Sequence, residues 1–77
     1  MKSIVMLFDA TKGEFTEEYL YTLPPKKALI CAINQRKGNF NTWEYPNDIE
    51  GIHKSNCVKG RLLFDVDEDH ILYAQEA

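Results

Sequence analysis

The spacing of apolar residues changes along the chain and predicts which segments are strands and which is a helix. Residues 3–8 are apolar at both alternating positions, which is typical of a strand inside a sheet. After turn-forming residues at 9–13, aromatic, threonine and glutamate residues alternate over 15–23. We interpret this second segment as a strand, because tyrosine, threonine and phenylalanine favour strands; a helix capped by Thr16 is the alternative.

A helix is predicted directly after this second strand. Pro24 ends the strand, and Pro25 suits the first helical position because the N–H group that proline lacks has no helical partner there. The helix extends to about residue 37, and its apolar stripe consists of Ala28, Leu29, Ala32 and Ile33. Gly38 is the expected end of the helix, since glycine adopts the left-handed conformation that closes many helices.

The second half of the chain predicts further strands separated by loops. Residues 40–45 alternate with a period of two, and residues 57–66 carry apolar side chains on one face. Residues 46–51 have the composition of a loop, and an extension of this loop to Ser55 and Asn56 is left open. An acidic turn at 67–69 leads into a last element at 70–76, for which strand and helix are both considered.

Together these elements predict a small single α+β domain over residues 1–77. Its element order is β-β-α-β-β, with an antiparallel sheet of about four strands and one helix packed on it. The 77 residues allow one small core, for which nine aromatic side chains are available. No apolar run approaches the roughly 20 residues of a membrane span, so we expect a soluble, cytoplasmic protein.

The charge of the chain bears on the class of partner. Twelve acidic residues outnumber nine basic ones, for a net charge of −3, which argues against direct binding to nucleic-acid phosphates. Two segments concentrate the carboxylates that we predict to bind a partner, namely Glu17, Glu18, Asp65, Asp67, Glu68 and Asp69. A positively charged groove on a partner, including one that holds DNA or RNA, would attract them. The competing interpretation is that they only keep the protein soluble.

Two other functions are considered. The first is a nucleic-acid-binding regulator, in which sheet aromatics stack on bases; these are Tyr19, Tyr21, Trp43 and Tyr45. A basic helix surface would then contact phosphates through Lys26, Lys27, Arg36 and Lys37. The second is a homodimeric structural subunit, which an apolar face left uncovered by the small core would favour.

Metal and catalytic sites are not predicted. Residues 65–69 and Glu76 match the carboxylate spacing of a calcium loop, but His70 stands where that loop needs glycine. The two cysteines and two histidines lack the paired short spacing of a zinc site. No nucleophile motif or glycine-rich phosphate loop is present, so we expect no enzyme and no cofactor.

The segment from Ala28 to Tyr45 resembles small proteins of phages, plasmids and other mobile elements. In these proteins a proline-initiated helix runs into a strand of the form Gly-Asn-x-Asn-Thr-Trp-x-Tyr, which here begins at Gly38. Small acidic chains from this context are similar to anti-defence inhibitors, including anti-CRISPR proteins, which block a host complex by binding it. The resemblance implies a non-catalytic inhibitor of a host protein or ribonucleoprotein that targets nucleic acid, acting in the host cytoplasm.

Overall fold

The computed structural model describes residues 1–36 and 49–77. These residues form one helix and one antiparallel sheet of five strands. In chain order the elements are β1 (Ser3–Asp9), β2 (Glu14–Tyr21), α1 (Pro25–Arg36), β3 (Ile52–Lys54), β4 (Leu62–Asp65) and β5 (His70–Glu76). Across the sheet the strand order is β2-β1-β5-β4-β3, so β5 is the central strand. The described part of the chain is thus a small α+β unit, as predicted.

Besides the β3–β4 hairpin, two hairpins and one long-range pairing build the sheet. In the first hairpin, β1 turns into β2 at Gly13, which has a φ of 67° and donates its N–H to the Asp9 carbonyl. The second hairpin joins β4 to β5. β1 pairs along its whole length with β5, so that Asp9 lies opposite His70. Both hairpin turns therefore lie at the same end of the sheet, where the Ala10 N–H donates to the Asp69 carbonyl at 2.7 Å.

The helix packs on one face of this sheet. Its first turn is closed by a hydrogen bond from the Ala28 N–H to the Pro24 carbonyl, and the Ser3 hydroxyl donates to the nearby Leu23 carbonyl at 2.5 Å. The core between helix and sheet consists of Val5, Leu7, Ala28, Leu29, Ala32, Ile33, Leu72 and Ala74. All four residues of the predicted helix stripe are buried, which confirms that prediction.

The edge strand β3 lies in the stretch over which an extension of the predicted loop is left open by the sequence, so the loop does not extend over residues 52–54. Three residues are too few to show an alternating pattern. They are held by pairing with β4, in which Ile52 lies opposite Phe64 and Lys54 lies opposite Leu62. Ile52 also packs against the core. The described sheet consequently has five strands instead of about four.

The strand predicted at 57–66 is shorter than expected. Only Leu62–Asp65 pairs as β4. Before it the chain turns, because the Ser55 hydroxyl accepts hydrogen bonds from the backbone N–H groups of Cys57 and Val58, each at 3.2 Å. Gly60 then takes a φ of 82°, which favours glycine over residues with a side chain.

The remaining elements can also be compared with the sequence. The two segments for which strand and helix were both considered are the strands β2 and β5. The helix begins at Pro25, as expected. Its predicted end at Lys37 and Gly38, and the strand predicted at 40–45, lie outside the described residues.

Leu29 offers a direct test of the packing between helix and sheet, because its side chain is fully buried. We expect Leu29→Ala to lower the free energy of unfolding by about 2–5 kcal/mol, since it removes buried methyl groups and leaves a cavity. Leu20→Ala is the matched control: Leu20 is 73% exposed, and its loss should change stability by less than about 0.5 kcal/mol. Urea denaturation followed by circular dichroism measures both, and equal losses would contradict the described core.

Candidate functional site

Acidic side chains gather at the end of the sheet where the two hairpin turns meet. We call this region the acidic end; it consists of Glu14, Asp65, Asp67, Glu68 and Asp69. All five residues are exposed, and the backbone bond between Ala10 and Asp69 holds their two turns together. Four of the six predicted partner-binding residues therefore lie in one region. Glu14, which the sequence prediction did not include, joins them because it lies opposite Asp9 at the start of β2.

The other two predicted partner-binding residues lie on β2, on opposite sides of the sheet. Glu17 lies on the helix side, where it forms an ion pair with Arg36 at 3.6 Å and accepts a hydrogen bond from the Tyr19 hydroxyl at 2.5 Å. That hydrogen bond raises the pKa of Tyr19. Glu18 lies opposite Met6 in the register and so belongs to the other side. The six predicted residues do not form one continuous surface.

His70 connects the two turns of the acidic end through side chains. Its Nδ1 lies 2.9 Å from Asp67 Oδ1, and its Nε2 lies 3.7 Å from Asp9 Oδ2. Asp67 Oδ1 also accepts the backbone N–H of Asp69 at 2.8 Å. Asp9 Oδ1 accepts the backbone N–H of Thr11 at 2.9 Å and its hydroxyl at 2.5 Å. Asp9 and Asp67 therefore hold the turn backbones that carry the exposed carboxylates.

Both of these carboxyl groups titrate below their ordinary range. The hydroxyl of Thr11 is the main cause of the lowered pKa of Asp9, and His70 is the main cause of the lowered pKa of Asp67. A carboxyl group with a lowered pKa in the folded chain stabilises the fold above its ordinary pKa, and this contribution is lost as the pH falls through the folded value. Stability should accordingly decline as the solution is acidified below about pH 4.

The described residues of the nucleic-acid hypothesis do not converge. Lys26 and Lys27 lie in the first turn of α1 and Arg36 lies in its last, about 14 Å away along the helix axis. Tyr21, like Tyr19, lies on the helix side of the sheet, and its hydroxyl donates to Gln35 Oε1 at 2.9 Å. Lys37, Trp43 and Tyr45 lie outside the described residues.

The face of the sheet opposite the helix carries an aromatic cluster. We call it the open face, because within residues 1–36 and 49–77 no element packs on it. Phe8, Phe15 and Tyr73 contact one another edge to face, with ring centroids 5.2–6.5 Å apart. Phe15 is 44% exposed, and Leu20 on the same strand is 73% exposed. The sequence indicated this face because residues 3–8, which form most of β1, are apolar at both alternating positions.

A cation borders the aromatic cluster. The Arg61 guanidinium lies over the Tyr73 ring, 5.3 Å from its centroid, and its Nε donates to Gln75 Oε1 at 2.7 Å. Stacking of this kind keeps the guanidinium close to the sheet and lets it cover part of the ring. The open face therefore combines apolar area with fixed polar groups over its central strand.

The described residues also contain cavities and two free thiols. A cavity of about 460 Å³ lies near the start of α1; it is lined by Met1, Pro24, Pro25, Val58, Lys59, Gly60, Gln75 and Glu76. Cys31 and Cys57 are both free thiols, and burial raises the pKa of Cys31. Among the residues that the structure describes, no three histidine, cysteine, aspartate or glutamate side chains are grouped to hold a metal ion.

No protein-family model, curated protein sequence or solved structure matches this chain. Outside the undescribed segment 37–48, no helix has the length and apolar character needed to cross a bilayer. The acidic end and the open face are therefore the two surfaces of the described residues that bear on function.

The hydrogen bonds of the acidic end can be tested one carboxyl group at a time. We expect His70→Gln to raise the pKa of Asp67 toward its ordinary value and to move that of Asp9 less, because Thr11 dominates at Asp9. Thr11→Ala should do the reverse. Carboxyl carbon NMR titration between about pH 2 and pH 7 measures both groups in each sample. Equal shifts of the two groups in either variant would contradict the described network.

Proposed function

We propose that this protein is a small non-catalytic inhibitor that binds a host complex targeting nucleic acid, as anti-CRISPR proteins do. In this proposal the acidic end is the surface that contacts the partner. The observation that carries the proposal is the convergence of exposed carboxylates from two hairpins at one end of the sheet. Protein grooves that hold nucleic acid are lined by lysine and arginine, which these carboxylates would attract.

The acidic end is supported by hydrogen bonds that leave its outermost carboxylates exposed. Asp67 is engaged with His70, and Asp9 is engaged with Thr11, so both stabilise the turns. Glu68 and Asp69 lie at the exposed tip of the second turn. Charges held on ordered turns lose less conformational entropy on binding than charges on a flexible tail. This arrangement favours a binding surface over carboxylates that serve solubility alone.

The choice of a host complex as partner depends on the resemblance to mobile-element proteins. The segment from Ala28 to Tyr45 carries that resemblance, and its first part is the helix α1. Mobile elements encounter host complexes that recognise foreign nucleic acid. A compact chain with a net charge of −3 suits a partner with a basic groove.

The nucleic-acid-binding regulator is the second candidate, and one observation favours it. Phe8, Phe15 and Tyr73 lie together on a sheet face, as the base-stacking residues of some single-strand binders do. However, Lys26 and Lys27 are on the helix, which packs on the opposite face. The aromatic cluster and these lysines would therefore not contact the same stretch of a strand.

Charge reversal at the tip of the acidic end tests the inhibitor proposal. We expect the double variant Glu68→Lys with Asp69→Lys to weaken partner binding at least about tenfold, because like charges facing each other cost several kcal/mol. Asp67 is left in place, since it binds His70. The assay uses bacteria with an active CRISPR nuclease: the wild-type chain should restore transformation by a targeted plasmid, and the variant should not.

A triple variant controls for net charge. Glu76→Lys with Thr22→Lys and Asn56→Lys changes the charge equally at exposed residues at the opposite end of the sheet, and it should inhibit as well as the wild type. Equal inhibition by the double and the triple variant would rule out the acidic end as the contact. Binding of the purified chain to a fluorescent oligonucleotide, weakened by added salt, would instead support the regulator.

A further inference from the structure

The open face carries a carboxylate at one edge and an imidazole at the other. The antiparallel register places one row of residues across all five strands, in the order Glu18, Met6, Tyr73, Leu63 and His53. Glu18 lies on the edge strand β2 and His53 on the edge strand β3, and both are exposed. Four strand spacings of about 4.8 Å separate them by roughly 19 Å, so the two side chains cannot pair within one molecule.

We infer that the open face is the contact between two copies of this chain, related by a twofold axis parallel to the strands and passing over β5. Because β5 is the central strand, this axis places β2 of each copy over β3 of the other. Glu18 of each copy then lies opposite His53 of the second copy. The row is self-complementary, as a twofold interface requires.

The direction of the axis follows from charge. A twofold axis in the sheet plane but perpendicular to the strands would place Glu18 opposite Glu18 of the second copy, which is repulsive. The parallel axis replaces that contact with two carboxylate–imidazole pairs. Between these pairs the row consists of the buried Met6 and the half-buried Tyr73 and Leu63, with the Arg61 guanidinium over the Tyr73 ring.

Pairing would cover the apolar side chains that the single helix leaves exposed. Two sheets stacked face to face pack about 10 Å apart with their side chains interleaved, and both helices would lie outside. Phe15 and Leu20, the most exposed apolar residues of β2 on this face, lie at its border. Their burial would add apolar contact area to the two Glu18–His53 pairs at the edges.

The size of the face sets the expected strength of the dimer. Four strand spacings and the seven residues of β1 and β5 give a planar area of at most roughly 400 Å², because β3 and β4 are shorter; this is about half of what each partner contributes to a standard interface. The acidic ends of the two copies also lie at the same end of this dimer and repel each other. We therefore expect a dissociation constant in the micromolar range. The dimer does not rest on the proposed function, because Glu68 and Asp69 at the tip of the acidic end lie in a turn beyond the paired strands.

A charge-swap cycle tests this pairing. Sedimentation equilibrium from about 10 μM to about 1 mM should show a reversible monomer–dimer equilibrium of the wild-type chain. Glu18→Lys and His53→Glu should each weaken the dimer about tenfold, because the first removes the carboxylate from both pairs and the second places carboxylate opposite carboxylate in both. The double variant should restore the affinity to within about threefold of the wild type. Glu76→Lys changes the net charge as much as Glu18→Lys, but on the helix side of the sheet, and should have no such effect.

The outcomes separate this arrangement from others. A chain that is monomeric at every concentration overturns the proposal. A dimer that none of the variants weakens, or that the double variant fails to restore, overturns the assignment of the face or of the axis. Circular dichroism checks the fold of each variant. If a variant does not fold, Glu18→Gln or His53→Gln replaces it, and an unchanged dimer then counts against the pairing.

Discussion

A single helix can cover only one face of the sheet, and the layout of this molecule depends on that constraint. Helix α1 contacts the three middle strands, β1, β5 and β4. Small residues at Ala28, Ala32 and Ala74 bring the backbones close, while Leu29 and Ile33 fill the space between them. The helix buries one side of the middle strands. On their other side, among the described residues, the cover comes from the side chains of the sheet itself.

The edge strands show the effect of the same constraint. Nearly every residue of β2 is exposed, although it pairs with β1 over its whole length. A bulge places one extra residue, Thr16, in β2 opposite the step from Leu7 to Phe8. Because of this bulge, Phe15 joins Phe8 in the aromatic cluster while Glu17 turns to the helix side and meets Arg36. One inserted residue thus assigns these two side chains to opposite faces.

Local signals in the sequence predicted the parts of the fold that depend on local chemistry. The helix start at Pro25 and its buried stripe were predicted because one proline and a regular spacing determine them. Strand β3 was missed because its three residues are held only by pairing with β4.

The functional sites likewise combine features that the local sequence shows with features that depend on strand pairing. The acidic turn at 67–69 was visible, but its junction with the first hairpin depends on β1 pairing with β5, which no local pattern reveals. Glu17 and Glu18 were grouped as neighbours in sequence, although successive residues of a strand point to opposite faces.

The pairing of β1 with β5 has a consequence for how the chain reaches its fold. The first hairpin and the helix form from residues close in sequence, but the central strand β5 is synthesised after the other described elements. Until it arrives, β1 has one unpaired edge, and Val5 and Leu7 lack their contacts with Leu72 and Ala74. Contacts between such distant segments are slow to form because a long loop must be closed. The core is therefore completed only when β5 pairs with β1 in the middle of the sheet. A nascent chain whose β5 is still inside the ribosome remains only partly folded.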